Sequence, residues 1–96
     1  MTDLEQLRSK RDKVLNIAAQ HGALNVRVFG SVARGDAGPD SDIDLLVTRG
    51  PKLSPWFPAG LVLDLEEVLG RRVEVVTETG LNGYLRDQVL REAIPL

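Results

Sequence analysis

The sequence predicts an α/β fold of the α+β kind: three short strands in one small mixed sheet, interleaved with helices in the order α-β-α-β-α-β-α and covered by them mainly on one face. Three observations carry this. Apolar residues recur at helical spacing over residues 3–20 and about 59–69. They alternate with polar residues over 24–29, 42–47 and 72–76. A glycine or proline lies close behind each segment.

In the first helix, residues 3–20, Leu4, Leu7, Val14, Ile17 and Ala18 share a face, Thr2 or Asp3 caps the start and Gly22 marks the stop. Arg11 interrupts the apolar stripe. Leu24, Val26 and Val28 alternate with Asn25 and Arg27, the period of a strand with one buried face, which ends at Gly30. A helical turn over 31–34 runs into the irregular loop Gly35-Asp36-Ala37-Gly38-Pro39-Asp40. In the second strand, parity sends Ile43, Leu45 and Val47 one way and Asp42, Asp44 and Leu46 the other.

Residues 49–58 contain Pro51, Pro55 and Pro58 and read as an exposed connection, in which Phe57 covers the core and Trp56 serves as a lid or partner contact. The next helix, about 59–69, buries Leu61, Leu65, Val68 and Leu69, turns Asp64, Glu66 and Glu67 outward, and closes at Gly70. Residues 72–76 form the third strand, with Glu74 opposite in direction to Val73 and Val75. A last helix over 84–93 directs Leu85, Val89 and Leu90 inward.

Of 96 residues, 43% are hydrophobic and 27% charged, enough apolar material for one core and one domain, residues 1–96. Twelve Lys and Arg against fourteen Asp and Glu leave a net charge of -2. That excludes binding by blanket phosphate neutralisation, so no general nucleic-acid binding is expected and any nucleotide contact must be local. Lys10-Arg11 and Arg71-Arg72 accordingly read as solvated faces. No cysteine is present, which excludes disulfides, thiolate metal sites and a thiol nucleophile. The N-terminal run is charged without an apolar signal core, and no window approaches the ~18 apolar residues of a membrane span, so a cytoplasmic location without membrane contact is expected.

Residues i and i+2 on a strand stand roughly 6.5 to 7 Å apart, so Asp42 and Asp44 can share a hard cation. Mg²⁺ suits such a pair, because it takes a few carboxylates and leaves positions for water and phosphate oxygens. A calcium loop built on Asp40, Asp42 and Asp44 fails, since Leu45 stands where the turn glycine belongs and Pro51 where the bidentate glutamate belongs. Upstream, Phe29-Gly30-Ser31 breaks a strand into a helical turn whose free N–H groups, bare glycine and serine hydroxyl suit phosphate. Arg34 either approaches such a phosphate or pairs with a nearby aspartate. The single histidine, His21, at a helix C-terminus, contacts the last carbonyls or solvent.

The run Gly30-Ser31-Val32-Ala33-Arg34-Gly35, five further residues, then Ser41-Asp42-Ile43-Asp44-Leu45-Leu46-Val47 closely resembles the signature of the DNA polymerase β-like nucleotidyltransferase superfamily. Within it, the chain is similar to the minimal nucleotidyltransferases, small palm-like domains often paired with a HEPN-domain protein in prokaryotic toxin–antitoxin modules. The leading helix and residues 65–76 and 85–93 share the likeness. The resemblance implies that Gly30, Ser31 and Arg34 meet the nucleotide phosphates, and that Asp42, Asp44 and Glu74 are catalytic and hold Mg²⁺. The third position is commonly aspartate in the minimal members; here it is Glu74.

The activity so implied is transfer of a nucleoside monophosphate, AMP from ATP or the equivalent from another NTP, to a hydroxyl of a HEPN toxin partner that this silences. A chain this short leaves little beyond the palm-like core, so a partner is expected to complete the site. The alternative is a binding module of the same fold that occludes its partner and transfers nothing. A small-molecule nucleotidyltransferase would need a further acceptor-binding domain. The base of the NTP and the oligomeric state, homo-oligomer included, stay open.

Overall fold

Alternation along the strands sorts the sheet into an apolar face and a polar one. The computed structural model describes residues 2–96. In chain order these form α1 (Asp3–Ser9), α2 (Arg11–Gln20), β1 (Ala23–Phe29), α3 (Gly30–Arg34), β2 (Ile43–Arg49), α4 (Ala59–Leu69), β3 (Val73–Thr77), a 3₁₀ turn (Glu78–Gly80), α5 (Gly83–Glu92) and β4 (Ile94–Pro95). The sheet order is β3-β2-β1-β4, with β2 parallel to β3 and β1 antiparallel to both its neighbours.

On the apolar face, Val26 and Val28 from β1, Ile43, Leu45 and Val47 from β2, and Val73 and Val75 from β3 join Leu7, Val14, Ala18, Leu61 and Leu65 from α1, α2 and α4 in one cluster. Leu61 and Leu65 are fully buried. Each such leucine contributes about 1.5–3 kcal/mol by leaving water. Leu46 and Val89, also buried, lie outside that cluster. The polar face is therefore partly covered, and α5 packs against α3 rather than joining the main helical layer. Phe57 packs on the core as expected, while Trp56 is 87% exposed. No described helix is long and apolar enough to cross a membrane.

Four expectations need correction. The sheet has four strands rather than three, because Ile94 and Pro95 pair with Val28 and Arg27. A proline is tolerated on such an edge, where its missing N–H costs no ladder bond. The leading helix is two helices. Ser9 Oγ bonds the Gln6 carbonyl at 2.6 Å, competing with the helical ladder, and Lys10 leaves helical geometry (φ -107°) to send its ammonium to the Val68 carbonyl at 3.0 Å.

In β1, Leu24 is 49% exposed and Ala23 takes the buried place. Asn25 adopts φ 53°, and the register steps from Leu24 opposite Thr48 to Arg27 opposite Leu46. The extra residue of this bulge reverses parity upstream of it, and asparagine is among the few side chains that accept the left-handed region readily. Finally, Leu85 is exposed; on α5 only Val89 is fully buried.

Candidate active site

Register brings the polar face to a point at Asp44. Antiparallel pairing sets it opposite Phe29, so the next residue, Gly30, stands beside it; parallel pairing sets it opposite Glu74. Asp42 precedes β2 and shares Asp44's side of the chain. The structure thus brings Gly30, Asp42, Asp44 and Glu74 together from three separate stretches of sequence.

Gly30 is buried and has φ +73°, a conformation that glycine enters without penalty. A Cβ built there would lie 2.3 Å from Asp44 Oδ2, so the absence of a side chain is what lets the strand end close against the carboxylate. Gly30 opens the single turn of α3, Ser31 follows it, and Gly35 closes that turn in the left-handed region.

Burial raises the Asp44 carboxyl from its ordinary 3.8 to about 6; the Glu74 carboxylate beside it is the next cause, Asp42 adds a smaller push, and Arg34 pulls the other way. A half-buried carboxyl flanked by two others is a setting in which a cation relieves the repulsion. Asp42 Oδ1 is buried and makes no well-aligned hydrogen bond; its nearest positive charge is Arg72 Nε, 3.2 Å away as an ion pair. Orphaned buried oxygens are rare unless something else satisfies them.

These donors fit Mg²⁺, being hard oxygens in excess of local positive charge. Among the described residues no three His, Cys, Asp or Glu side chains converge to hold an ion unaided. Asp42 and Asp44 are thus two adjacent hard-oxygen donors, with the exposed Glu74 next to them.

Arg34 reaches no aspartate of β2. It pairs with Asp36, Nε to Oδ2 at 3.3 Å, and with Glu92 of α5; both raise its pKa, Glu92 the more. The other oxygen of Glu92 accepts the Gly30 N–H at 3.2 Å. Sequence reasoning missed Glu92 and Arg72. Glu92 was findable, because it lies three residues beyond the buried Val89 and so on the same face of α5. His21 is not a carbonyl cap. Its Nδ1 meets Ser54 Oγ at 2.6 Å and its Nε2 meets Asp64 Oδ2 at 2.7 Å, away from the carboxylate cluster. Nor is Arg71 solvated, since it pairs with Asp3 at 3.0 Å and donates to the Ser41 carbonyl, fixing the loop ahead of Asp42.

Comparison with known proteins shows the family and the fold. Residues 11–96 match the nucleotidyltransferase domain family. A Methanocaldococcus jannaschii protein named as a candidate protein adenylyltransferase is 39% identical over 82 residues, 85% of this chain and 88% of its own length. The protein adenylyltransferase MntA of Thermococcus cleftensis is 33% identical over 96 residues, 98% of this chain and 93% of its own. A solved structure described as a candidate minimal nucleotidyltransferase superposes with TM-score 0.86 at 56% identity, covering 100% of this chain and 98% of that one. The fold is also shared with a toxin–antitoxin complex solved with AMP-PNP, at TM-score 0.74 and 22% identity over 88% of this chain and 69% of that one. It recurs in a MntA–HepT toxin–antitoxin complex, at TM-score 0.68 and 19% identity over 92% and 69%. On these matches this chain belongs to the nucleotidyltransferase domain family, among its minimal members.

Proposed function

We propose that the protein transfers AMP from ATP to a side-chain hydroxyl of a HEPN-type toxin in the cytoplasm, and so acts as its antitoxin. The observation that carries this is the meeting of Asp44 with Gly30 on one side and Glu74 on the other: a carboxylate cluster directly beside the bare backbone at the start of a helical turn. The names of the relatives, protein adenylyltransferases, and of the complexes that share the fold support the reaction and the kind of partner.

In this reading Gly30 and Ser31 hold the triphosphate and Arg34 neutralises part of its charge. Asp42 and Asp44 would hold Mg²⁺, which when bound offsets charge developing on the attacking and leaving oxygens. The acceptor oxygen forms a bond to the α-phosphorus, the bond from that phosphorus to the bridging oxygen breaks, and pyrophosphate leaves. Glu74, exposed beside Asp44, takes the hydroxyl proton.

The test is transfer of α-labelled phosphate from ATP to a HEPN-domain toxin from the same organism. Glu74→Gln keeps the side chain's shape and removes its basicity, so transfer should fall about 10²-fold with partner binding unchanged. Undiminished transfer would remove Glu74 from the reaction. Wild-type neutralisation of the partner without any transfer would favour occlusion instead.

A further inference from the structure

Glu92 already fills the groups assigned above to phosphate. One carboxylate oxygen accepts the Gly30 N–H at 3.2 Å and the other pairs with the Arg34 guanidinium. An anion bridging a backbone N–H and an arginine is the arrangement a phosphate would adopt there. The Glu92 side chain is only 20% exposed, so it is held in this place rather than resting on the surface.

The helix that carries it is lightly anchored. Along α5 only Val89 is fully buried, residues 82–88 are all exposed, and Tyr84 and Leu85 are 80% and 51% exposed. The residues after α5 are held elsewhere, by β4, by the Leu96 N–H to the Val26 carbonyl and by Arg8 and Arg11 to the Pro95 and Leu96 carbonyls, so the Glu92 bridge is the polar tie that α5 itself makes to the site. A helix held by so little can shift at modest cost.

We infer that Glu92 is an internal competitor of the nucleotide: its carboxylate occupies the phosphate position in the free protein and must swing out, with or without a shift of α5, before ATP binds. This rests on the reading that Gly30 and Arg34 receive the triphosphate. The consequence is quantitative, because apparent affinity is reduced by the fraction of molecules whose site is open. A latch closed in about nine molecules of ten weakens binding about tenfold. The opposite possibility, that Glu92 holds Arg34 in position for phosphate, predicts the reverse sign.

Calorimetric titration of Mg²⁺-ATP into wild type, Glu92→Gln, Asp42→Asn/Asp44→Asn and the triple variant decides. Glu92→Gln preserves shape and an acceptor for Gly30 N–H while removing the charge that Arg34 pairs with, and thermal melts check that each variant folds. The expected result is about 3- to 10-fold tighter binding for Glu92→Gln. The gain should vanish in the triple variant. Equal or weaker binding by Glu92→Gln, with binding still lost in the aspartate double variant, overturns the latch and leaves the nucleotide site standing. Undiminished binding by the double variant overturns both.

Discussion

Asp44 on β2 faces Glu74 on β3 in parallel register, and its Oδ2 occupies the space that a side chain at Gly30 would need. Two strands of different sequence thus press two carboxyls and a bare backbone together, and the electrostatic cost falls on Asp44.

That cost sets a pH dependence. The folded protein holds the Asp44 proton more tightly than the unfolded chain does, since its pKa is raised from 3.8 to about 6. The resulting contribution to stability is therefore full below about pH 4 and is lost as pH rises through about 6. In metal-free buffer, wild type should lose melting temperature relative to Asp44→Asn across this window, and Asp44→Asn should be at least as stable at neutral pH. Mg²⁺-ATP affinity should run the other way, strengthening as Asp44 ionises. A melting difference that stays constant between pH 4 and 7 would contradict the assignment.

Gly30→Ala probes the other side of the same contact. Forcing an alanine to φ +73° costs about 1–2 kcal/mol, and its Cβ would push Asp44 from its place. Urea unfolding should show a loss of that size, and Mg²⁺-ATP binding should disappear from the folded variant. A variant that binds ATP normally would place the phosphates elsewhere.

His21 supplies a control remote from the chemistry. It ties the proline-containing connection to α4 through Ser54 and Asp64, and its carbonyl accepts the Ser54 N–H at 3.1 Å. His21→Ala leaves Ser54 Oγ without this partner and should cost about 1–3 kcal/mol in denaturant unfolding. Mg²⁺-ATP affinity, measured below the unfolding transition, should stay at the wild-type value.

The parts of this design legible in the sequence are those set by short-range pattern. Ile43, Leu45 and Val47 alternate with Asp42 and Asp44 because one face of β2 is core and the other is site, and that rhythm needs no partner to be read. The bounds of α4, from Ala59 to the stop at Gly70, follow from local periodicity and a left-handed glycine. What escaped depends on distant partners. The bulge at Asn25 reverses the parity of Leu24, which no local rule distinguishes from plain alternation. β4 exists only because β1 offers it an edge. Arg71 and Arg72 look like solvent-facing charges until the loops bring Asp3 and Asp42 to them, and the face of α5 that carries Glu92 is legible while its partners Gly30 and Arg34 are not.

The central claim is that this site transfers AMP to a protein partner. Its most direct test is the intact mass of a HEPN-domain toxin from the same organism after incubation with this protein, ATP and Mg²⁺, read beside its residual toxicity. The expected result is a gain of one or more AMP units, loss of toxicity in step with that gain, and neither with Asp42→Asn/Asp44→Asn. A partner that is neutralised with its mass unchanged would contradict it.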